Sequence, residues 1–261
     1  MSTGAEDLVV ATPDSLEETR IYGGFADLFK ESSPWVQGGF PQPDGTFWLY
    51  REPNAIVIAQ AGRLRVTAAP LTRAHHKVQI LDNAKHMYFS RERFAVPENG
   101  SIAFAVNIAA RGYGTRPHDL YDGFVSYNLL DLTTGWALDF FISNDTIATV
   151  YARLPFPGVP APSTGPVRYF ALFKELDVPT APGQRHDYRI VYDRAHDTVE
   201  WYVDGALVNR EENVPDKLDG FIVAMGLMTE KDIDPETGST SLHGQGLTGD
   251  WSETTIITRR G

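Results

Sequence analysis

From residue 54 onward the chain is a succession of short runs in which apolar and polar side chains alternate, each closed by turn residues. Ile102, Phe104, Val106 and Ile108 alternate with small or polar residues, so an extended backbone puts all four on one face. The same period predicts strands over 54–60, 63–69, 85–94, 101–109, 123–132, 136–143, 146–154, 168–174, 186–193, 198–203, 206–210, 220–227 and 253–258. Helical period nowhere persists beyond two turns. A chain built this way buries its apolar faces by pairing two sheets, so the fold class is all-β, a two-sheet antiparallel jelly-roll β-sandwich.

Turn chemistry supports that reading. Ala61-Gly62 separates two runs, and Asp204-Gly205 is the dipeptide of a tight hairpin whose central residues need positive φ. The proline-rich stretch 154–166 and the Asp/Gly/Ser/Thr-rich stretch 230–249 are predicted long loops, which on a rigid sandwich commonly rim a binding cleft. Residues 1–50 are expected to be loop-rich, with one or two edge strands and a short helix at 16–20, packing Phe25, Phe29 and Trp35 onto the core. Glycines alternating around His243 and Gln245 read as a tight turn over 241–253, with His243 as a minor candidate for ligand contact. With no repeat and no linker composition, residues 1–261 are expected to form one domain.

Composition excludes several chemistries. The sequence has no cysteine, so disulfides, thiolate metal sites and cysteine nucleophiles are ruled out. A formal net charge of −11 disfavours nucleic acid and anionic membrane, and Arg63, Arg65, Arg73 and Lys77 are interspersed with apolar strand residues rather than clustered. His75, His76 and His86 lack the spacing of a metal site, so no metal and no cofactor are expected. No apolar stretch is long enough to span a bilayer, and residues 1–10 show no basic segment followed by an apolar run. Taken as the native start, they lead to the expectation of a cytoplasmic protein. Serine-hydrolase elbows, dinucleotide fingerprints and kinase motifs are also absent.

His186-Asp-Tyr-Arg-Ile-Val-Tyr-Asp193 followed by Val199-Glu-Trp-Tyr-Val-Asp-Gly-Ala-Leu-Val208 resembles the strand and hairpin near the end of family-16 glycoside hydrolases and related concanavalin-A-like domains. Gly62–Ala68 and Arg93–Val106 fall in the order of that family's early strands, so the resemblance runs over about 54–258. It implies a catalytic strand carrying Glu-x-Asp-x-Glu or its bulged form, since retaining hydrolysis needs two carboxylates about 5 Å apart. The matching strand here is Trp136-Ala-Leu-Asp-Phe-Phe141, which puts Ala137, Asp139 and Phe141 or Ile142 at those places. Only the central carboxylate remains, and one Asp cannot run a double displacement.

Asp139 shares a face with Ala137 and Phe141, where apolar surroundings would raise its pKa into a range useful for proton transfer; its bland alternative is a vestigial hydrogen-bonding Asp. Tyr127 and Tyr151 are candidate phenol donors if they face the same cleft, and His118 beside Asp119 is a candidate rim base. Trp136, Phe141, Tyr169, Trp201 and Arg153 are candidate substrate contacts, with core packing as the alternative for the aromatic residues. Three readings follow for a small-molecule or carbohydrate ligand. They are a cofactor-independent cyclase, isomerase or lyase acting on a natural-product-like molecule; a lectin-like module; and a glycosidase with displaced carboxylates such as Asp145 or Glu200.

Overall fold

A computed structural model of the protein describes residues 16–42, 44–74, 83–156, 159, 169–234 and 236–261. Two antiparallel sheets are stacked as a jelly roll. The front sheet runs, neighbour to neighbour, Phe170–Glu175, Ile147–Arg153, Trp136–Ile142, Phe124–Asp131, Gly220–Met228, Lys85–Ser90 and Trp35–Gln37. The back sheet runs Ala206–Glu212, Thr198–Val203, Arg185–Asp193, Gly100–Tyr113, Gly246–Ser252, Arg63–Ala68 and Ile56–Gln60. Thr254–Arg260 also pairs with Gly100–Tyr113, and Leu16–Tyr22 pairs with Thr254–Arg260.

The inter-sheet core takes one face of each strand. From the front sheet it receives Val125, Tyr127, Leu129, Trp136, Leu138, Phe140 and Tyr151, and from the back sheet Phe104, Ile108, Tyr188, Tyr192, Trp201 and Trp251. Phe140 meets Tyr188 edge-on at 4.9 Å between centroids, one of the aromatic contacts that lock the sheets together. At the hairpin tip, Asp204 and Gly205 have φ of 50° and 82°, as the turn chemistry requires.

Three local expectations are corrected. Residues 16–20 form a strand rather than a helix, because the edge presented by Thr254–Arg260 pairs with them along their whole length. The glycine-marked segment 241–253 contains a strand, Gly246–Ser252, near the middle of the back sheet. Its glycines serve packing: a Cβ at 249 would collide with the Trp251 ring. Phe25 and Trp35 are buried and stack on one another, but Phe29 is exposed.

Candidate functional site

All seven residues of Trp136–Ile142 are buried, so both faces of the front sheet are covered. Trp136, Leu138, Phe140 and Ile142 enter the inter-sheet core, whereas Ala137 and Phe141 join a second apolar cluster on the outer face. That cluster also holds Tyr50, Met87, Leu120, Phe124, Val150 and Met228, with Phe40 and Trp48 from the hairpin Gly39–Pro41/Phe47–Leu49 packed against it. Asp139, in register with Val150 on one side and Asn128 on the other, is therefore a carboxylate set into an apolar outer face.

Asp139 is only 4% exposed, and its Oδ1 has no hydrogen-bond partner. The neighbouring Asn128 amide does not supply one: its Nδ2 donates to Ser126 Oγ at 3.0 Å and to the Ala224 carbonyl at 3.1 Å. Beyond Phe141 lies an aromatic wall. Phe141 stacks on Phe124 at 4.1 Å and tilts against Phe173 at 5.8 Å, and Phe173 meets Tyr121 edge-on at 5.4 Å.

Two further ionisable groups share this environment, and neither was singled out from the sequence. Lys85 opens the strand that also carries Met87 and Phe89, and its Nζ stands 5.1 Å from the centre of the Tyr50 ring. Glu230 lies two residues beyond the end of Gly220–Met228; its N–H donates to the Tyr121 carbonyl at 2.9 Å, and its Oε2 is buried without a partner. The pairing of Met228 with Lys85 brings these residues together across 145 positions of sequence. Among the described residues, no ion pair joins Lys85 to either carboxylate.

Their charges still act on one another. Burial, then the charge of Glu230, pushes Asp139 well above the usual carboxylate range, against the pull of Lys85. Burial likewise raises Glu230, again opposed by Lys85. Burial lowers Lys85 to about 8, opposed by Glu230 and then Asp139. Asp139 is thus a carboxyl whose acid form is favoured by its surroundings, acting on a second raised carboxyl, Glu230, and a weakened amine, Lys85.

The Glu230 loop is tied down by a buried aspartate. Asp122 is fully buried; His243 Nε2 lies 2.9 Å from both of its oxygens, the Arg116 N–H donates to it at 2.8 Å, and Lys231 approaches it at 3.4 Å while bridging to Asp119. Burial pushes the Asp122 carboxyl up, but the Arg116 and His243 hydrogen bonds and the Lys231 charge hold it below its ordinary value. His243 therefore contacts Asp122, and this clamp fixes the residue that follows Glu230.

Of the residues expected in the site, Asp139 and Phe141 lie on the outer face. Tyr127 does not: its side chain is in the inter-sheet core and its hydroxyl donates to Thr254 Oγ1 at 3.2 Å. Tyr151 is in the same core against Trp136 at 5.0 Å and Trp201 at 6.3 Å, with burial pushing its phenol up to about 12. Trp136 and Trp201 are core residues; the Trp136 indole donates to Asp216 at 2.7 Å. Arg153 shares the core-facing side of its strand, bonding the Thr134 carbonyl and facing Asp216. These side chains were expected at the cleft with Asp139 and face the inter-sheet core instead: period two sets Trp136 opposite Asp139 on its own strand, but with both faces apolar it did not say which was the core, nor which face the other strands would present. Tyr169 is exposed beside the edge strand Phe170–Glu175, and His118 is 87% exposed, its Nδ1 3.1 Å from Asp145. Neither is brought to Asp139 by a described contact.

Asp145 is engaged by His118, Ser143 and Thr146, while Glu200 pairs with Tyr202 and Arg210 on the back sheet, and neither is brought to Asp139 by a described contact. His75, His76 and Lys77 lie outside the described residues, as does most of 154–166. Among the described residues there is no cluster of three or more His, Asp or Glu able to hold a metal ion, and no helix long and apolar enough to cross a membrane. Surface hollows of about 300 and 400 Å³ lie elsewhere, one around Asn107, Asp187 and Arg189 and one around Arg20 and Glu92. Neither is lined by Asp139, Lys85 or Glu230.

Comparison with known proteins agrees with this architecture. An endo-1,3-β-glucanase from Streptomyces sioyaensis superposes with a TM-score of 0.56 at 13% identity, covering 97% of this chain and 100% of its own. The catalytic domain of a laminarinase from Thermotoga petrophila RKU-1 gives 0.56 at 15%, covering 94% and 100%. An endo-β-1,4-glucuronan lyase from Trichoderma reesei gives 0.52 at 11%, covering 91% and 94%. At such identities the likeness establishes the concanavalin-A-like glucanase fold. No curated protein matches in sequence. A family model described as a family of unknown function, DUF6081, matches residues 22–260.

Proposed function

The chain belongs to DUF6081, a family of unknown function, and on that premise we propose that it is a non-hydrolytic enzyme of the cyclase, isomerase or lyase type. It acts on a small apolar molecule at the outer face of the front sheet. The observation that carries the reading is Asp139: a buried carboxyl with an unpartnered oxygen on an apolar outer face, whose acid form burial and the charge of Glu230 favour. Protonated Asp139 is suited to deliver a proton to a carbonyl or leaving oxygen, and Glu230 to remove one. The aromatic wall of Phe124, Phe141 and Phe173 would hold an apolar body and exclude water. No cofactor is needed for such proton transfers, and the glucuronan lyase is a lyase on a fold of this kind.

The test is a library of apolar small molecules screened by thermal shift, followed by turnover assays with Asp139→Asn. Turnover should fall at least tenfold; an unchanged rate would remove Asp139 from the mechanism. Release of reducing sugar from laminarin or lichenan by the native protein would overturn the non-hydrolytic reading. The glycan-binding alternative rests on the glucanase fold, and a glycan array with no bound member would dispose of it.

A further inference from the structure

We propose that Lys85 is an imine-forming amine, and that the outer-face site takes small aldehydes or ketones carried on an apolar body. This rests on the reading of that face as a small-molecule site, and it names the substrate class.

An ordinary strand lysine extends its ammonium into water along the apolar stem. Lys85 instead is half-buried with its Nζ over Tyr50, on a face shared with Met87 and Phe89. Asp139 and Glu230 both act on its charge, yet each keeps a buried oxygen without a partner, and no ion pair among the described residues closes the gap. Three ionisable groups that act on one another's charge without bonding one another are suited to a fourth group that both accepts a proton and bonds an amine. A carbonyl does both.

Burial leaves Lys85 with a pKa of about 8, so roughly one amine in ten is neutral at pH 7, against about one in several thousand for an ordinary lysine. Besides the Tyr50 ring under the Lys85 Nζ, the phenol of Tyr121 faces this region; it is raised by burial and then by Glu230, Glu175 and Asp119, and so stays neutral.

The step balances within these residues. Glu230 takes one proton from the ammonium. The freed nitrogen pair bonds the carbonyl carbon while the C=O pair moves onto oxygen, which takes the Asp139 proton. Asp139 recovers a proton from nitrogen. The C–O bond then breaks as the oxygen leaves with the proton held by Glu230, and the remaining nitrogen pair forms the iminium. Of the three ammonium protons, one ends in water by way of Glu230, one replaces on Asp139 the proton that Asp139 gave to the same water, and one stays on nitrogen, so both carboxyl groups return to their starting states.

The experiment treats the full chain with benzaldehyde and sodium cyanoborohydride at pH 7, then maps the reduced benzyl adduct by peptide mass spectrometry. Lys85 should be labelled at least tenfold faster than exposed Lys30 or Lys217, with Asp139→Asn slowing that labelling. Lys85→Arg and Lys85→Met should both remove the fast adduct, two variants being used so that one failing to fold leaves the other. Labelling spread over Lys30 and Lys217 with Lys85 no faster overturns the inference. Benzyl alcohol, which cannot form an imine, is titrated in parallel against the Met87 and Met228 methyl signals. If it shifts them and Lys85 is not labelled, the imine inference falls and the small-molecule site stands; if it shifts neither, the site reading falls too.

Discussion

Asp139 and Asp250 are both aspartates on the outer face of a sheet and both only 4% exposed, yet they are opposite kinds of residue. Asp250, on the back sheet, is ringed by arginines: Arg63 Nε at 2.5 Å, Arg65 at 2.7 and 2.9 Å, and Arg185 at 3.1 and 3.2 Å. Burial pushes its carboxyl up, but the Arg185, Arg63 and Arg65 hydrogen bonds more than offset this and hold it below the ordinary value. Asp139 has no such ring and is raised. A buried carboxylate ringed by guanidinium groups has its hydrogen bonds satisfied, whereas one with an unpartnered oxygen costs stability, and the function proposed above rests on that difference.

Breaking the arginine ring tests the first half of that contrast. Asp250→Ala should lower unfolding free energy by about 3 kcal/mol, because three guanidinium groups are left crowded without their anion; a urea midpoint unchanged from native would show the ring to be ornamental. Asp139→Asn should instead leave stability at pH 4 nearly unchanged. Because the Asp139 pKa is raised, its favourable contribution is full below the unfolded value near 4 and is lost as pH rises through the folded value. The variant should therefore lose less stability than the native protein between pH 4 and neutrality. Asp250 has the reverse sign, its contribution present above the unfolded value and lost as pH falls through the depressed folded one. Urea melts across pH of the two variants should show slopes of opposite sense, and parallel curves would erase the contrast.

Smaller effects sharpen the boundary of the site. Tyr127→Phe removes one core hydrogen bond to Thr254 and should cost about 1 kcal/mol with turnover unchanged; a rate loss of tenfold would return Tyr127 to the mechanism. His118→Ala, at an exposed turn, should shift stability by less than about 0.5 kcal/mol and leave turnover alone, readable in the same two assays.

The alternation of apolar residues determined the jelly roll and, by parity, that Asp139 shares a face with Phe141 and not with Trp136. Parity is a local property, which is why it survives without knowledge of the rest of the chain. Which parity faces the other sheet was decided by the tertiary structure, since hairpin Gly39–Leu49 and neighbouring residues cover the outer face as well and give both parities an apolar neighbourhood. The strand Gly246–Ser252 was hidden for a related reason: its glycines carry no pattern of their own, and their value lies in the room they leave for Trp251 and Ala69. Lys85 and Glu230 were illegible because nothing near either residue in sequence announces the other. They meet through the pairing of Met228 with Lys85, and the low dielectric that raises both carboxyls and weakens the amine exists only once the sheet is folded and covered.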